Sequence, residues 1–121
     1  MNKKTGQTGE SLACDFLNGQ GYKILFRNIR CLYGEIDIVA FKDQIIHFVE
    51  VKTRKSLLFG LPIESYTPIK RERILKTGFW ILHESNLELP FFKRFQFDFM
   101  GYILDLNNNI LQQNWLENAW D

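Results

Sequence analysis

The chain is short of cysteine, histidine and proline, and its charges nearly cancel. Its two cysteines, Cys14 and Cys31, form no CxxC pair, and only His47 and His83 accompany them. That inventory excludes a disulfide-rich scaffold and offers no zinc-like spacing. Two isolated thiols read as small buried residues in a reducing compartment. A net charge of +1 points to no partner by bulk electrostatics, so a nucleic-acid role has to come from local basic clusters. No apolar run approaches the length of about 18 residues that suggests a membrane span. The opening MNKKTGQTGE has no apolar core of a secretory signal. The expected location is therefore the cytoplasm, with no membrane partner. Repeats, low-complexity tracts and long linkers are missing too. With 121 residues, one domain spanning 1–121 and closing one core is expected.

What is present is apolar patterning, with 45% hydrophobic residues and 11 phenylalanines. The stretch TGESLACDFLNGQG predicts a helix capped by Thr8. Leu12, Ala13, Phe16 and Leu17 lie on one face, and Gly19 or Gly21 ends it. YKILFRNIR sets Tyr22, Ile24 and Phe26 against Lys23, Leu25 and Arg27 and predicts a strand. Two more strands fill 34–54, with a turn around Lys42, Asp43 and Gln44, and SLLFGLPIES reads as a loop. A second helix follows in TPIKRERILKTGFWILHES. Thr67 caps it, Pro68 takes its first position, and Ile74, Leu75, Gly78, Phe79 and Leu82 form its apolar face. FKRFQFDFMGYILDL alternates Phe95, Phe97 and Phe99 against Arg94, Gln96 and Asp98. NNN turns the chain, and ILQQNWLENAW supplies the last strand. The resulting order, α-β-β-β-α-β-β, describes an α/β protein with a central mixed β-sheet flanked by helices.

Four ionisable residues interrupt the most apolar part of that sheet. In GEIDIVAFKDQIIHFVEVKTR, Glu35 and Asp37 sit on one strand and Glu50 and Lys52 on the next. Strand side chains alternate between faces. A two-residue turn at Asp43 and Gln44 would set Asp37 opposite Glu50 and Glu35 opposite Lys52, all on one face. Facing carboxylates repel unless a proton or cation lies between them. Hard oxygen ligands suit Mg²⁺ or Mn²⁺, and such an ion keeps positions open for a phosphate and a water. Lys52 could orient or deprotonate that water, or neutralise charge on the phosphate. The bland alternative is a pair of half-exposed strands with a Glu35–Lys52 ion pair. Glu10, at the margin of the first helix's apolar face, extends the acidic set. An acid in a first helical turn is also favoured by the helix dipole alone.

A helical Glu, a strand Asp and Glu-x-Lys on the next strand resemble the PD-(D/E)XK nuclease superfamily, here through Glu10, Asp37 and Glu50-Val51-Lys52. The blocks TGESLACDFL, GYKILFRNIR, GEIDIVA, FVEVKTR, TPIKRERI and ENAW resemble more closely the small bacterial YraN-type proteins of endonuclease-like character. The resemblance implies a restriction-endonuclease-like core. It implies Asp37, Glu50 and Glu10 as metal ligands for Mg²⁺ or Mn²⁺, and Lys52 as the catalytic lysine. It also implies cutting of DNA, or less often RNA, and related Holliday-junction resolvases work as homodimers on branched DNA; the leading expectation is a nuclease acting on DNA, branched or damaged structures included. Ile36 stands where the superfamily name has Pro. Glu35 belongs to the same GEID block, either supporting the metal or pairing with Lys52 or Arg54.

Basic residues cluster as such a role requires. Arg54 and Lys55 follow Lys52, and Lys70, Arg73 and Lys76 recur one turn apart on the second helix. The sequence has no recognition-helix signature, which favours contact with the phosphate backbone over base readout. Two other classes compete: an inactive nucleic-acid-binding module on the same fold, and a protein-interaction component with aromatics at its interface.

Overall fold

The computed structural model describes residues 3–56, 58 and 60–119. Among them are helix α1 (Lys3–Gly19) and strands β1 (Lys23–Cys31), β2 (Gly34–Lys42) and β3 (Ile45–Arg54). A 3-10 turn (Pro62–Ser65), helix α2 (Pro68–His83) and strands β4 (Arg94–Leu104) and β5 (Ile110–Leu116) follow. The five strands form one sheet in chain order. β3 and β4 are parallel, joined by the crossover through α2, and the remaining neighbours are antiparallel. The α-β-β-β-α-β-β order and the mixed sheet flanked by helices are as the sequence predicts.

The two helices cover opposite faces. Ala13, Cys14 and Leu17 of α1 pack on Ile38, Ala40, Val49, Val51, Met100 and Tyr102. Ile74 and Ile81 of α2 pack on Val39, Ile46, Phe48 and Phe97. The β2–β3 turn is the one expected. Lys42 pairs with Ile45, and Asp43 and Gln44 both adopt left-handed φ, 52° and 63°. Two left-handed residues in a two-residue loop match the twist of a hairpin. Thr67 caps α2, its Oγ1 accepting from Lys70 N at 3.3 Å, with Pro68 at the first turn.

Several expectations are corrected. Thr8 is no cap: α1 begins five residues earlier at Lys3, and Thr8 Oγ1 donates to the Lys4 carbonyl inside the helix at 3.1 Å. Buried Thr5 anchors the added turns. The simple alternation of β1 fails because the register slips between Ile24 and Phe26. Leu25 and Phe26 therefore both join the α2 face, while Ile24 stays on the α1 face. Both sides of the β4 alternation are buried, Gln96 and Asp98 as well as Phe97 and Phe99, since β4 lies inside the sheet and is covered on both faces. On α2, Thr77, Gly78 and Ile81 join Ile74 in the buried stripe, and Phe79 is 40% exposed. A Cβ on Gly78 would stand 2.8 Å from the Phe97 ring, so this glycine lets helix and sheet approach. Trp120, the end of the ENAW block, lies outside the described residues.

Gly9 makes the corresponding approach for α1. A Cβ there would collide with Thr53, which is fully buried on β3. Overpacking of this kind costs roughly 1–3 kcal/mol, partly offset by the roughly 1 kcal/mol that Ala gains over Gly in a helix. Because the added Cβ meets both Thr53 Oγ1 and Thr53 Cβ, the cost lies toward the upper end, and Gly9→Ala should lose about 2 kcal/mol in urea unfolding. An unchanged midpoint would show that α1 can lift off β3 without penalty.

Candidate active site

The β2–β3 ladder runs from Lys42↔Ile45 to Ile38↔Val49 and stops there. Beyond that pair β2 continues only with β1 and β3 only with β4. Asp37 is the cause. Its Oδ2 accepts the Val51 N–H at 2.8 Å, so a carboxylate takes the donor that a ladder carbonyl would have used. The expected ladder pairs Asp37–Glu50 and Glu35–Lys52 are therefore not ladder pairs, although the register that predicts them is correct up to that point. Across from Asp37, Asn28 of β1 has a left-handed φ of 54°. Side-chain alternation also breaks here, since Ile36 joins the α2 core and Ile38 the α1 core.

The gap opens into a cleft of about 320 Å³ lined by Glu10 of α1, Glu35 and Asp37 of β2, Glu50, Val51 and Lys52 of β3, and Lys70 and Arg73 of α2. The chain thus brings together Glu10, Asp37, Glu50 and Lys52 as the sequence anticipates, and adds two of the predicted cations. Arg54 borders the set, its charge felt at Lys52. Lys55 is directed elsewhere, close enough to Asp105 to influence its carboxyl. Lys76 lines a different depression and pairs with Glu72 at 3.3 Å. Glu35 pairs with neither Lys52 nor Arg54: its Oε2 takes Arg30 Nη2 at 3.2 Å.

Electrostatics divide this set. Burial, then a hydrogen bond and charge repulsion from Glu50, push the Asp37 carboxyl from 3.8 up to about 9, against the lowering effect of the Val51 N–H. In the absence of a cation, then, Asp37 holds a proton against Glu50. Glu10 is also raised, by burial and by Asp37, while Arg27 and a hydrogen bond from Asn28 oppose the shift. It sits in the middle of α1 rather than in its first turn, so the helix dipole does not account for it. Lys52 is lowered by burial and by Lys70 and Arg54, with Glu50 and Asp37 opposing. Every shift resolved among these cleft groups favours the neutral form.

A divalent cation in place of the Asp37 proton would relieve that frustration, and the all-oxygen donor set fits a hard ion such as Mg²⁺ or Mn²⁺. The contrast with another cluster is informative. His47, Asp98 and Glu117 bring ligand atoms within 4.8 Å of one another, the one such group of three among the described residues. Yet Asp98 Oδ2 already meets His47 Nδ1 at 2.7 Å. Its Oδ1 accepts from Gln96 Nε2 at 2.9 Å and from Asn118 N at 3.1 Å. Hydrogen bonds fill both oxygens, which marks a saturated structural network. The sequence reading missed it, although polar residues on a strand with apolar neighbours on either side were again the signal.

A family model described as "Uncharacterised protein family UPF0102" matches residues 9–102. The chain is similar to a UPF0102 protein of Dictyoglomus turgidum, 41% identical over 119 residues, 98% of each chain. A UPF0102 protein of Caldicellulosiruptor bescii is 43% identical over 119 residues, again 98% of each. One of Clostridium perfringens is 40% identical over 119 residues, covering 98% of this chain and 95% of that one.

The raised Asp37 has a definite consequence for metal-free protein. Between its ordinary value of 3.8 and about 9, the folded state keeps a proton that the unfolded chain releases. Stability should fall as pH rises through that window, by up to about 1.4 kcal/mol per pH unit for one proton. Glu10 acts in the same direction, whereas the lowered Lys52 adds a contribution of opposite sign on the alkaline side. Urea unfolding in EDTA across this range should show the decline, and Asp37→Asn should flatten it. A wild-type profile as flat as the variant's would contradict the assignment.

Proposed function

The chain belongs to the uncharacterised protein family UPF0102, and we propose that it is a metal-dependent endonuclease hydrolysing DNA phosphodiesters on a PD-(D/E)XK-type core. One observation carries the reading: the Asp37–Glu50 carboxyl pair shares a cleft with Glu10, Lys52, Lys70 and Arg73. Acids that repel one another, beside cations on the opposite wall, suit a ligand that is anionic and arrives with a divalent ion.

In this reading Asp37 and Glu50 hold Mg²⁺ or Mn²⁺, with Glu10 assisting. When bound, such an ion offsets charge on a phosphate oxygen and makes water more acidic. The Val51 N–H fixes the orientation of Asp37. Lys52, eased toward its neutral amine by burial, can accept a proton from the attacking water; as an ammonium it balances charge on the phosphate. Lys70 contributes a point charge to the DNA backbone, and Arg73 can take two phosphate oxygens at once. Arg30 neutralises Glu35 at the rim, which lowers the repulsion an incoming phosphate would meet. Arg54 adds charge at the margin.

The test is cleavage of linear, single-stranded and branched DNA by purified protein with Mn²⁺ or Mg²⁺. Wild-type protein should cut at least one of these. Asp37→Ala, Glu50→Ala and Lys52→Ala should each lower the rate by about a hundredfold or more. No cleavage under any condition, or undiminished cleavage by these variants, would overturn the proposal. Metal-independent DNA binding without turnover would favour a binding module.

A further inference from the structure

A second depression lies directly beside the cleft. It encloses about 430 Å³ and is lined by Tyr33, Lys76, Phe79, Trp80, His83 and Glu84. The two share a wall. Tyr33 precedes Gly34, which lines the cleft, and Lys76 lies one helical turn beyond Arg73, which also lines it. The wall is tight: a Cβ on Gly34 would stand 3.3 Å from both Arg73 Cβ and Thr77 Oγ1. The β1–β2 turn is tied down there as well. Cys31 Sγ lies 3.8 Å from Thr77 Oγ1, and Tyr33 N–H donates to that sulfur at 3.4 Å.

Two aromatic rings of this groove are partly exposed. Tyr33 is 41% and Phe79 40% exposed. Phe79 is also held in place, stacked on His83 at 6.3 Å and meeting Phe95 edge-on at 5.7 Å. Exposed aromatic rings next to a basic track are the two elements with which proteins hold single strands: the track follows the backbone and the rings stack on bases. Here the track is Lys70, Arg73 and Lys76 along α2. The Lys76–Glu72 pair is exposed on both sides, so it leaves the lysine available. Glu84 on the rim repels phosphate, which suits the groove to a base and not to backbone. Bases within a duplex have their faces covered by neighbours, so only an unpaired one could enter.

We propose that this groove seats an unpaired nucleobase of the strand whose phosphate occupies the cleft. The inference rests on the nuclease reading for the cleft, and it makes the substrate class DNA with a single-stranded segment beside the scissile bond.

Binding can be tested apart from cleavage, in EDTA, using a short DNA oligonucleotide with 2-aminopurine at one position, single-stranded or in a blunt duplex. The single strand should bind more tightly than the duplex, with 2-aminopurine fluorescence quenched by stacking. Tyr33→Ala/Phe79→Ala should weaken single-strand binding about tenfold and abolish the quenching. Phe79→Leu keeps apolar volume without an aromatic face, and should show the same loss in direction should the double variant prove unfolded. Equal binding of single strand and duplex, or unchanged binding by the variants, would overturn the groove assignment even if the enzyme cuts DNA. A selective, variant-sensitive single-strand complex would support it even if no cleavage is found, and the failure would then belong to the nuclease reading alone.

Discussion

The molecule turns on one hydrogen bond. Asp37 Oδ2 takes the Val51 N–H, and at that point two strands that had paired continuously from their turn separate. A backbone carbonyl would have continued the ladder; a carboxylate ends it and leaves a fork. The fork is open at one end of the sheet, where α1 supplies an acid and α2 supplies cations. Had the ladder closed, Asp37 and Glu50 would be a repelling cross-strand pair on a filled face. With the fork they line a cleft in which the Asp37 carboxyl is pushed toward its protonated form.

The central strands carry two groups of ionisable residues, and the number of donors separates their roles. Asp98, level with Val49 in the sheet, accepts from Gln96 and Asn118 on Oδ1 and meets His47 through Oδ2. A buried carboxylate so supplied is stable as it stands, and here it also ties the segment after β5 to the sheet. Asp37 has one backbone donor and a second acid for a neighbour. Geometry alone would rank the His47–Asp98–Glu117 group as the better metal cage. The count of hydrogen bonds reverses that ranking, because a cation at Asp98 would have to displace partners already in place.

The sequence was most readable where local chemistry leaves little choice. A two-residue loop bounded by apolar strands sets a register, and both loop residues adopt the left-handed conformation it needs. That register brought the acids of β2 and β3 to one end of the sheet, where they line a common cleft. Thr67 and Pro68 marked the start of α2 because cap and first turn have specific side-chain demands. The misses lie where tertiary packing overrides a local pattern. Buried Thr5 extends α1 beyond Thr8. The irregularity near Leu25 shifts β1 by one residue, which alternation cannot foresee. Gln96 and Asp98 alternate with phenylalanines, yet β4 is interior and both sides are buried. Phe79 looks like core, yet the close approach at Gly78 places the buried stripe through Thr77 and Ile81 and leaves that ring outside. The proposed base-stacking groove was invisible for this reason: it depends on an aromatic residue excluded from the core.

The position of Glu10 links stability to the site. Gly9 rests against Thr53, the residue between Lys52 and Arg54 on β3, so the separation of α1 from the sheet is set beside the acid it carries. Burial raises Glu10 and Asp37 and lowers Lys52, which means the packing that shapes the cleft also opposes every one of those charges. Without a ligand the chain meets those costs by favouring the neutral forms; a ligand that brings charge of its own would restore the charged ones. A cation relieves the acids and a phosphate relieves the lysine, and neither does both. The pairing of the two opposite requirements in one cleft is therefore a physical reason to expect cation and phosphate together, independent of any likeness to another protein.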